Sequence, residues 1–156
     1  MNIRQADARD ALLLSSLSVE VQRLHAENHP DIFKMPKSDE YAVTFFDELL
    51  ADTSIRIYIA EEAGHGIGYI FCKLYERPES PLTFVNRFLQ IEHISVQSAV
   101  QHRGVGGALM QRVEELAREL RVKKIQLSSW VFNTNAHAFF EKQGFIKFEY
   151  RFWKKL

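Results

Sequence analysis

Gln101-His102-Arg103-Gly104-Val105-Gly106-Gly107-Ala108-Leu109-Met110 follows an apolar, strand-like run and opens an amphipathic helix. Strand, glycine-rich turn and helix in that order aim free backbone N–H groups and a helix N-terminus at one small volume. Such a volume favours a phosphate or pyrophosphate, because unpaired amides and the helix dipole both stabilise negative charge. Gly104 and Gly106 let the backbone bend and approach a ligand where a Cβ would intrude. Gln101 and Arg103 add a donor and a cation at the rim.

Outward from this turn, the elements follow from periodicity. Downstream, Leu109, Val113, Leu116 and Leu120 repeat at helical spacing. Ile125, Leu127, Ser129 and Val131 read as the next strand. Asn133 to Gln143 reads as a short helix ended by Gly144, with Phe145 as the apolar residue past a glycine cap. Ile146, Phe148, Tyr150 and Phe152 alternate with Lys147, Glu149 and Arg151, which predicts a last strand. Upstream, a long strand runs from about Val85 to Val96, after a loop marked by Pro78 and Pro81. Ile55, Ile57 and Ile59 alternate with Arg56, Tyr58 and Ala60 as a half-buried strand, and Gly64-His65-Gly66 turns it into a strand over 67–76. Near the start, a strand at 2–6 leads to a helix capped by Asp7, with Leu13 or Leu14, Leu17, Val21 and Leu24 in period and an end before Pro30. A second helix begins near Ser38, with Ala42, Phe45, Phe46 and Leu49 on one face. The order βααβββαβαβ predicts a mixed α/β sheet with the glycine turn at a strand's carboxyl end, where ligands of open α/β sheets collect.

Composition narrows the function classes. Hydrophobic residues at 46% and charged residues at 26% argue for a packed core over disorder, and 156 residues suit one domain, 1–156. Lys plus Arg equals Asp plus Glu at 20 each, so no net field draws nucleic acid or an anionic membrane. The one cysteine, Cys72, sits in the apolar run Ile70-Phe71-Cys72 and reads as a buried structural thiol; no metal site is expected. The N-terminus lacks a signal-peptide apolar region and no apolar run is long enough to span a bilayer, so a soluble, cytoplasmic protein is expected.

Two phosphate-binding patterns fail on the residues present. A P-loop requires Lys followed by Ser or Thr after its glycines, and none follows. A dinucleotide fingerprint requires a third glycine where Leu109 stands, and a ribose-binding acid at the end of the next strand is missing. The spacing Gln101-x-x-Gly104-x-Gly106 instead resembles the acyl-CoA signature of the GNAT superfamily of N-acetyltransferases. Ile91-Glu92-His93-Ile94-Ser95-Val96 looks like that family's central strand. Asn133-x-x-Ala136-x-x-Phe139-Phe140-Glu141-Lys142-x-Gly144-Phe145 is similar to its second motif. The resemblance is strong over 91–146 and topological over 1–90, and it implies a mostly antiparallel central sheet flanked by helices.

The resemblance implies acetyl-CoA as co-substrate and no metal. Ile94, Ser95 and Val96 match the strand whose main chain pairs with the pantetheine arm. Gln101, His102, Arg103, Gly104, Val105, Gly106 and Gly107 match the pyrophosphate loop, and Asn133 matches an asparagine that holds the pantetheine end, although it also reads as a helix N-cap. Phe140 stands where the family often has a tyrosine thought to protonate the leaving thiolate. A thiol of pKa about 8.5 can take a proton from solvent, so Phe140 is expected to shape the thioester pocket.

The implied reaction is direct attack of a primary amine on the thioester. An amine of pKa roughly 10 is mostly protonated at neutral pH, so a base must take its proton. Glu92 is the candidate base. His93 would point to the opposite face of a regular strand, and His102 and His137 read as solvated helix-end residues. The acceptor, an amine-bearing small molecule or peptide, is expected to be chosen by His25 to Pro36 and the Pro78–Pro81 loop. A homodimer is left open. The alternative function is a non-catalytic acyl-CoA-binding regulatory module, motivated by Phe140.

Overall fold

A computed structural model describes residues 1–156. Its elements run β1 (Asn2–Gln5), α1 (Ala11–Asn28), α2 (Val43–Ala51), β2 (Ile55–Glu62), β3 (His65–Arg77), β4 (Asn86–Val96), α3 (Val105–Glu119), β5 (Ile125–Leu127) and α4 (Thr134–Lys142), with one 3₁₀ turn at Ser98–Val100. The strands lie in the order β1-β2-β3-β4-β5. Every pair is antiparallel except β4–β5, which is parallel. This is the mixed, mostly antiparallel sheet that the family resemblance implied.

Alternation along β2 decides how the layers assemble. Ile57 and Ile59 pack with Leu14, Leu17, Phe46, Tyr69 and Phe71 beneath α1 and α2. Tyr58 and Ala60 face the other way, into a larger cluster with Leu109, Met110, Val113 and Leu116 of α3. The strand is therefore buried on both faces rather than half-buried, because helices cover both sides of the sheet. Leu109 and Val113 are fully buried, as their spacing predicts, and Phe46 is the buried anchor of α2 while Phe45 is exposed.

Local chemistry moves several boundaries. α1 starts at Ala11, after Asp10, and Asp7 does not cap it. The Asp10 carboxylate instead accepts the Asp7 N–H at 2.8 Å and both ends of the Arg4 guanidinium at 2.7 Å, while Asp7 binds Arg9. The Arg4 bond is the main reason the Asp10 carboxyl is held below its usual range. α2 begins at Val43, because Ser38 is engaged in a turn in which its Oγ accepts the Glu40 N–H. The β2–β3 connection is the two-residue turn Ala63-Gly64, both at positive φ, and His65 already pairs with Glu62.

Two strand expectations are corrected at the C-terminal end. β5 stops at Leu127, so Ser129 and Val131 lie beyond the ladder. Residues 146–152 form no strand: Ile146, Phe148, Tyr150 and Phe152 are exposed, and the observed order ends at α4. Alternation marks a segment able to pair, but a strand exists only where a partner edge meets it. Gly144, at φ +87°, does end α4 as expected, and the Phe145 N–H closes the cap on Phe140 O at 3.0 Å. No helix is long and apolar enough to cross a membrane.

Candidate active site

β4 and β5 pair only over Leu89–Ile91 and Ile125–Leu127. From Glu92 to Val96, β4 keeps β3 as its sole strand neighbour, so the sheet splits along that edge. Ile94 and Val96 turn toward the α3 side and Ser95 toward α1, where its hydroxyl donates to Leu17 O at 3.0 Å. The split leads to the glycine loop. His102 has φ 63° and Gly104 has φ 84°, and Gly104 is the N-cap of α3 with no side chain capping it. The first helical bond runs from the Ala108 N–H to Gly104 O at 3.0 Å, which leaves the N–H groups of His102 through Gly107 without a partner in the chain. Six free amides at a helix start form an anion cradle.

The loop's side chains have other duties than those the sequence suggested. Gln101 Nε2 donates to Val96 O at 3.2 Å and braces the turn against β4. Arg103 forms a two-oxygen pair with Glu62 at 2.9 Å, so its charge is already matched across the sheet end. A Cβ at Gly106 would meet the Phe139 ring at 3.0 Å, so the glycine also lets α4 approach the loop. At Gly107 a Cβ would meet only Gln143 Nε2, at 4.0 Å. The cradle is thus built from main chain. Val105 is buried beneath it, and His102 is exposed.

α4 lies beside this cradle through the Phe139–Gly106 contact. Asn133 is its N-cap, with Oδ1 accepting the Ala136 N–H at 3.4 Å. Phe140 is buried in the α3-side core, 6.1 Å from the Phe145 ring. His137 is not a free helix-end residue: its Nε2 lies 3.0 Å from Trp130 O.

Glu92 and His93 do not alternate. The β3–β4 register shifts between Phe71, opposite His93, and Cys72, opposite Ile91, which leaves Glu92 as the extra residue of a bulge. The Glu92 carboxylate accepts the Tyr75 hydroxyl at 3.0 Å, and that bond is the main cause that raises the tyrosine. His93 stacks on Tyr69 and Phe71, with Nδ1 2.5 Å from the Tyr69 hydroxyl. Tyr69, Phe71 and Tyr75 alternate on one face of β3, so both acidic and imidazole groups face the α1–α2 side. Glu92 is exposed there, whereas burial pushes His93 down to about 4 and Tyr69 well above its ordinary value. No pattern in the sequence announces this bulge.

Nearby stands a cluster that sequence reading only half reached. His25 packs edge-on to Phe33 at 5.0 Å and to Phe132 at 5.4 Å, and His29 lies 4.7 Å from Trp130. The end of α1 and its connector are thereby tied to the stretch after β5. Nothing in the sequence of residues 25–36 marks their aromatic partners beyond β5. Cys72 is fully buried and its thiol is pushed up to about 12 by burial, which fits a structural role.

Residues 19–145 match the acetyltransferase (GNAT) family. The uncharacterized protein YxbD of Bacillus subtilis (strain 168) is 34% identical over 64 residues, which are 41% of this chain and 40% of that protein. The matched stretch thus spans well under half the length of that relative. Among solved structures, a tetramutant of the BH1408 protein from Bacillus halodurans superposes with a TM-score of 0.92 at 20% identity, covering 100% of both chains. An aminoglycoside N-acetyltransferase AAC(6')-Iy in complex with CoA gives a TM-score of 0.75 at 17% identity, covering 99% of this chain and 93% of that one. Likeness at such identities speaks for the fold alone. The match over residues 19–145, on a sheet split beside a main-chain anion cradle, shows that this chain belongs to the GNAT acetyltransferase family.

Proposed function

We propose that the protein is an N-acetyltransferase that moves the acetyl group of acetyl-CoA to a primary amine by direct attack. The observation that carries this reading is the junction of the β4–β5 split with the six unpartnered amides of His102–Gly107. The cradle would hold the pyrophosphate, and the bare edge of Ile94, Ser95 and Val96 would pair with the pantetheine arm as a neighbouring strand does. Bound acetyl-CoA supplies an acetyl thioester open to an amine nucleophile.

Glu92 takes the proton that the amine must lose. It is exposed at the point where β4 and β5 part, on the face lined by α1 and α2. Tyr75 orients its carboxylate through the 3.0 Å bond. His93, half-buried and stacked on Tyr69 and Phe71, stands on the same face beside the bulge. Phe140 has no proton to give and packs beside the cradle through α4, so solvent protonates the departing thiolate. The acceptor would enter past His25, His29 and Trp130, from the α1 side.

Thiol release from acetyl-CoA against a panel of primary amines tests the reading, with CoA affinity measured in parallel. At least one amine should raise thiol release well above hydrolysis. CoA binding without turnover on any amine would replace the enzyme with a non-catalytic acyl-CoA-binding module. No CoA binding would remove both.

A further inference from the structure

Where the last turn of α3 crosses the sheet, on the face away from α1 and α2, lies a cavity of about 210 Å³. Its floor and sides are apolar: Cys72 and Leu89 are fully buried there, beside Leu74, Leu116 and Leu120. Its mouth is polar, formed by Thr53, Ser54 and Arg56. Arg56 comes to this face because it alternates with Ile57 along β2 and stands opposite Cys72 of β3.

The other cations around this cavity are matched by carboxylates, and Arg56 is not. Lys73 pairs with Asp52 at 3.4 Å, Arg112 with Glu119 at 3.0 Å and Arg87 with Glu76 at 3.3 Å. The half-buried Arg56 guanidinium gives only Nη1 to the chain, donating to Thr53 O and Ile55 O. Those bonds fix its orientation and leave Nε and Nη2, an edge able to grip a carboxylate with two bonds, unused. The carbonyls that end α3 would repel an anion, but they are already engaged. Leu116 O accepts the Leu120 N–H, Ala117 O the Val122 N–H, and Leu120 O the Arg87 Nη1 at 2.8 Å.

We infer that this cavity binds a short aliphatic carboxylate, with the free guanidinium edge of Arg56 on the carboxylate and the leucine-lined floor around the chain. The size sets the length of that chain. An apolar cavity of about 150 Å³ accepts a six-carbon ring, so 210 Å³ suits a carboxylate of about six carbons. Such a ligand matches the one unpaired cation of the rim and covers apolar wall in the same step. The site stands at the opposite end of α3 from the glycine loop. α3 is 15 residues long and rises about 1.5 Å per residue, so roughly 20 Å separate the two ends. The inference is therefore independent of the proposed reaction and of acyl-CoA.

Calorimetric titration of the full chain with hexanoate, hexan-1-ol and acetate tests the site. Hexanoate should bind with a Kd of about 1 mM or tighter, which about eight buried atoms can supply. Hexan-1-ol, which lacks the charge, and acetate, which lacks the chain, should each bind more than about tenfold more weakly. Arg56→Gln should weaken hexanoate by a similar factor and leave hexan-1-ol unchanged, with the circular dichroism spectrum retained. Saturating CoA should leave the hexanoate affinity as it was. Absence of hexanoate binding, equal binding of hexan-1-ol, or an Arg56→Gln chain that binds hexanoate like the parent would each overturn the site. Displacement of hexanoate by CoA would place it at the glycine loop and overturn the site as well. The ligand series needs no substitution, so it decides the matter even where Arg56→Gln unfolds.

Discussion

Glu92 and His93, neighbours in sequence, present their side chains to the same face of β4. The register shift opposite Phe71 and Cys72 removes the alternation that would separate them. Tyr75 holds the first and Tyr69 the second. An exposed carboxylate and a half-buried imidazole therefore stand side by side at the start of the sheet's split, and each carries a separate prediction.

A carboxylate that accepts the amine's proton leaves a pH signature. Glu92→Gln keeps size and hydrogen bonding while removing the basic site. kcat/KM should fall about 10²-fold or more near neutral pH, within the span of general bases, with CoA affinity unchanged. The deficit should shrink at high pH, where more amine arrives deprotonated. A loss equal at every pH would instead describe a positioning role.

His93 should make stability depend on acid. Its folded value of about 4 lies below the ordinary 6.5, so the unfolded chain binds the proton first. Stability is therefore complete above about 6.5 and declines as pH falls toward 4, by at most about 3 kcal/mol for this group. Melting temperatures of the protein and of His93→Gln, compared from pH 7 to 4.5, check this. The variant should show the shallower decline, and parallel declines would contradict the assignment.

The cradle is best probed at Gly107, since Gly106→Asp would also strike Phe139 and confound binding with folding. Gly107→Asp meets only the Gln143 amide. Aspartate in a first helical turn is worth about 0.3–1 kcal/mol in favour of the helix, so the fold should hold or gain. CoA affinity should nevertheless fall more than about tenfold, because the new charge opposes pyrophosphate. Calorimetry on the folded variant decides the point.

Phe140 tests packing against chemistry. Phe140→Ala deletes a buried ring from the α3-side cluster, at a cost of about 3–5 kcal/mol. Phe140→Tyr should leave CoA affinity nearly unchanged and raise turnover modestly by supplying a donor. A Phe140→Ala chain as stable as the parent would refute the packing role.

Residues 101–110 and 133–145 carried the family, the glycine loop and both helices around it, because those signals are local. Glycine at a turn, apolar spacing in Leu109 to Leu116 and the Gly144 cap each report backbone geometry within a few residues. Leu109 and Val113 are buried for the reason their spacing implies. Cys72 is likewise buried as its apolar neighbours suggest.

What one residue meets on another element was decided only by the tertiary structure. Arg103 looked like a rim cation until β2 brought Glu62 to 2.9 Å. That Gly106 also makes room for the Phe139 ring of α4 is visible only once α4 is in place. A bulge in β4 turned His93 onto the face of Glu92, and no period records a register shift. The alternation from Ile146 to Phe152 is as regular as that of β2, yet only β2 is a strand. Periodicity measures what a segment is able to bury, whereas pairing requires an edge at hydrogen-bonding distance, and that is set by how the other elements pack.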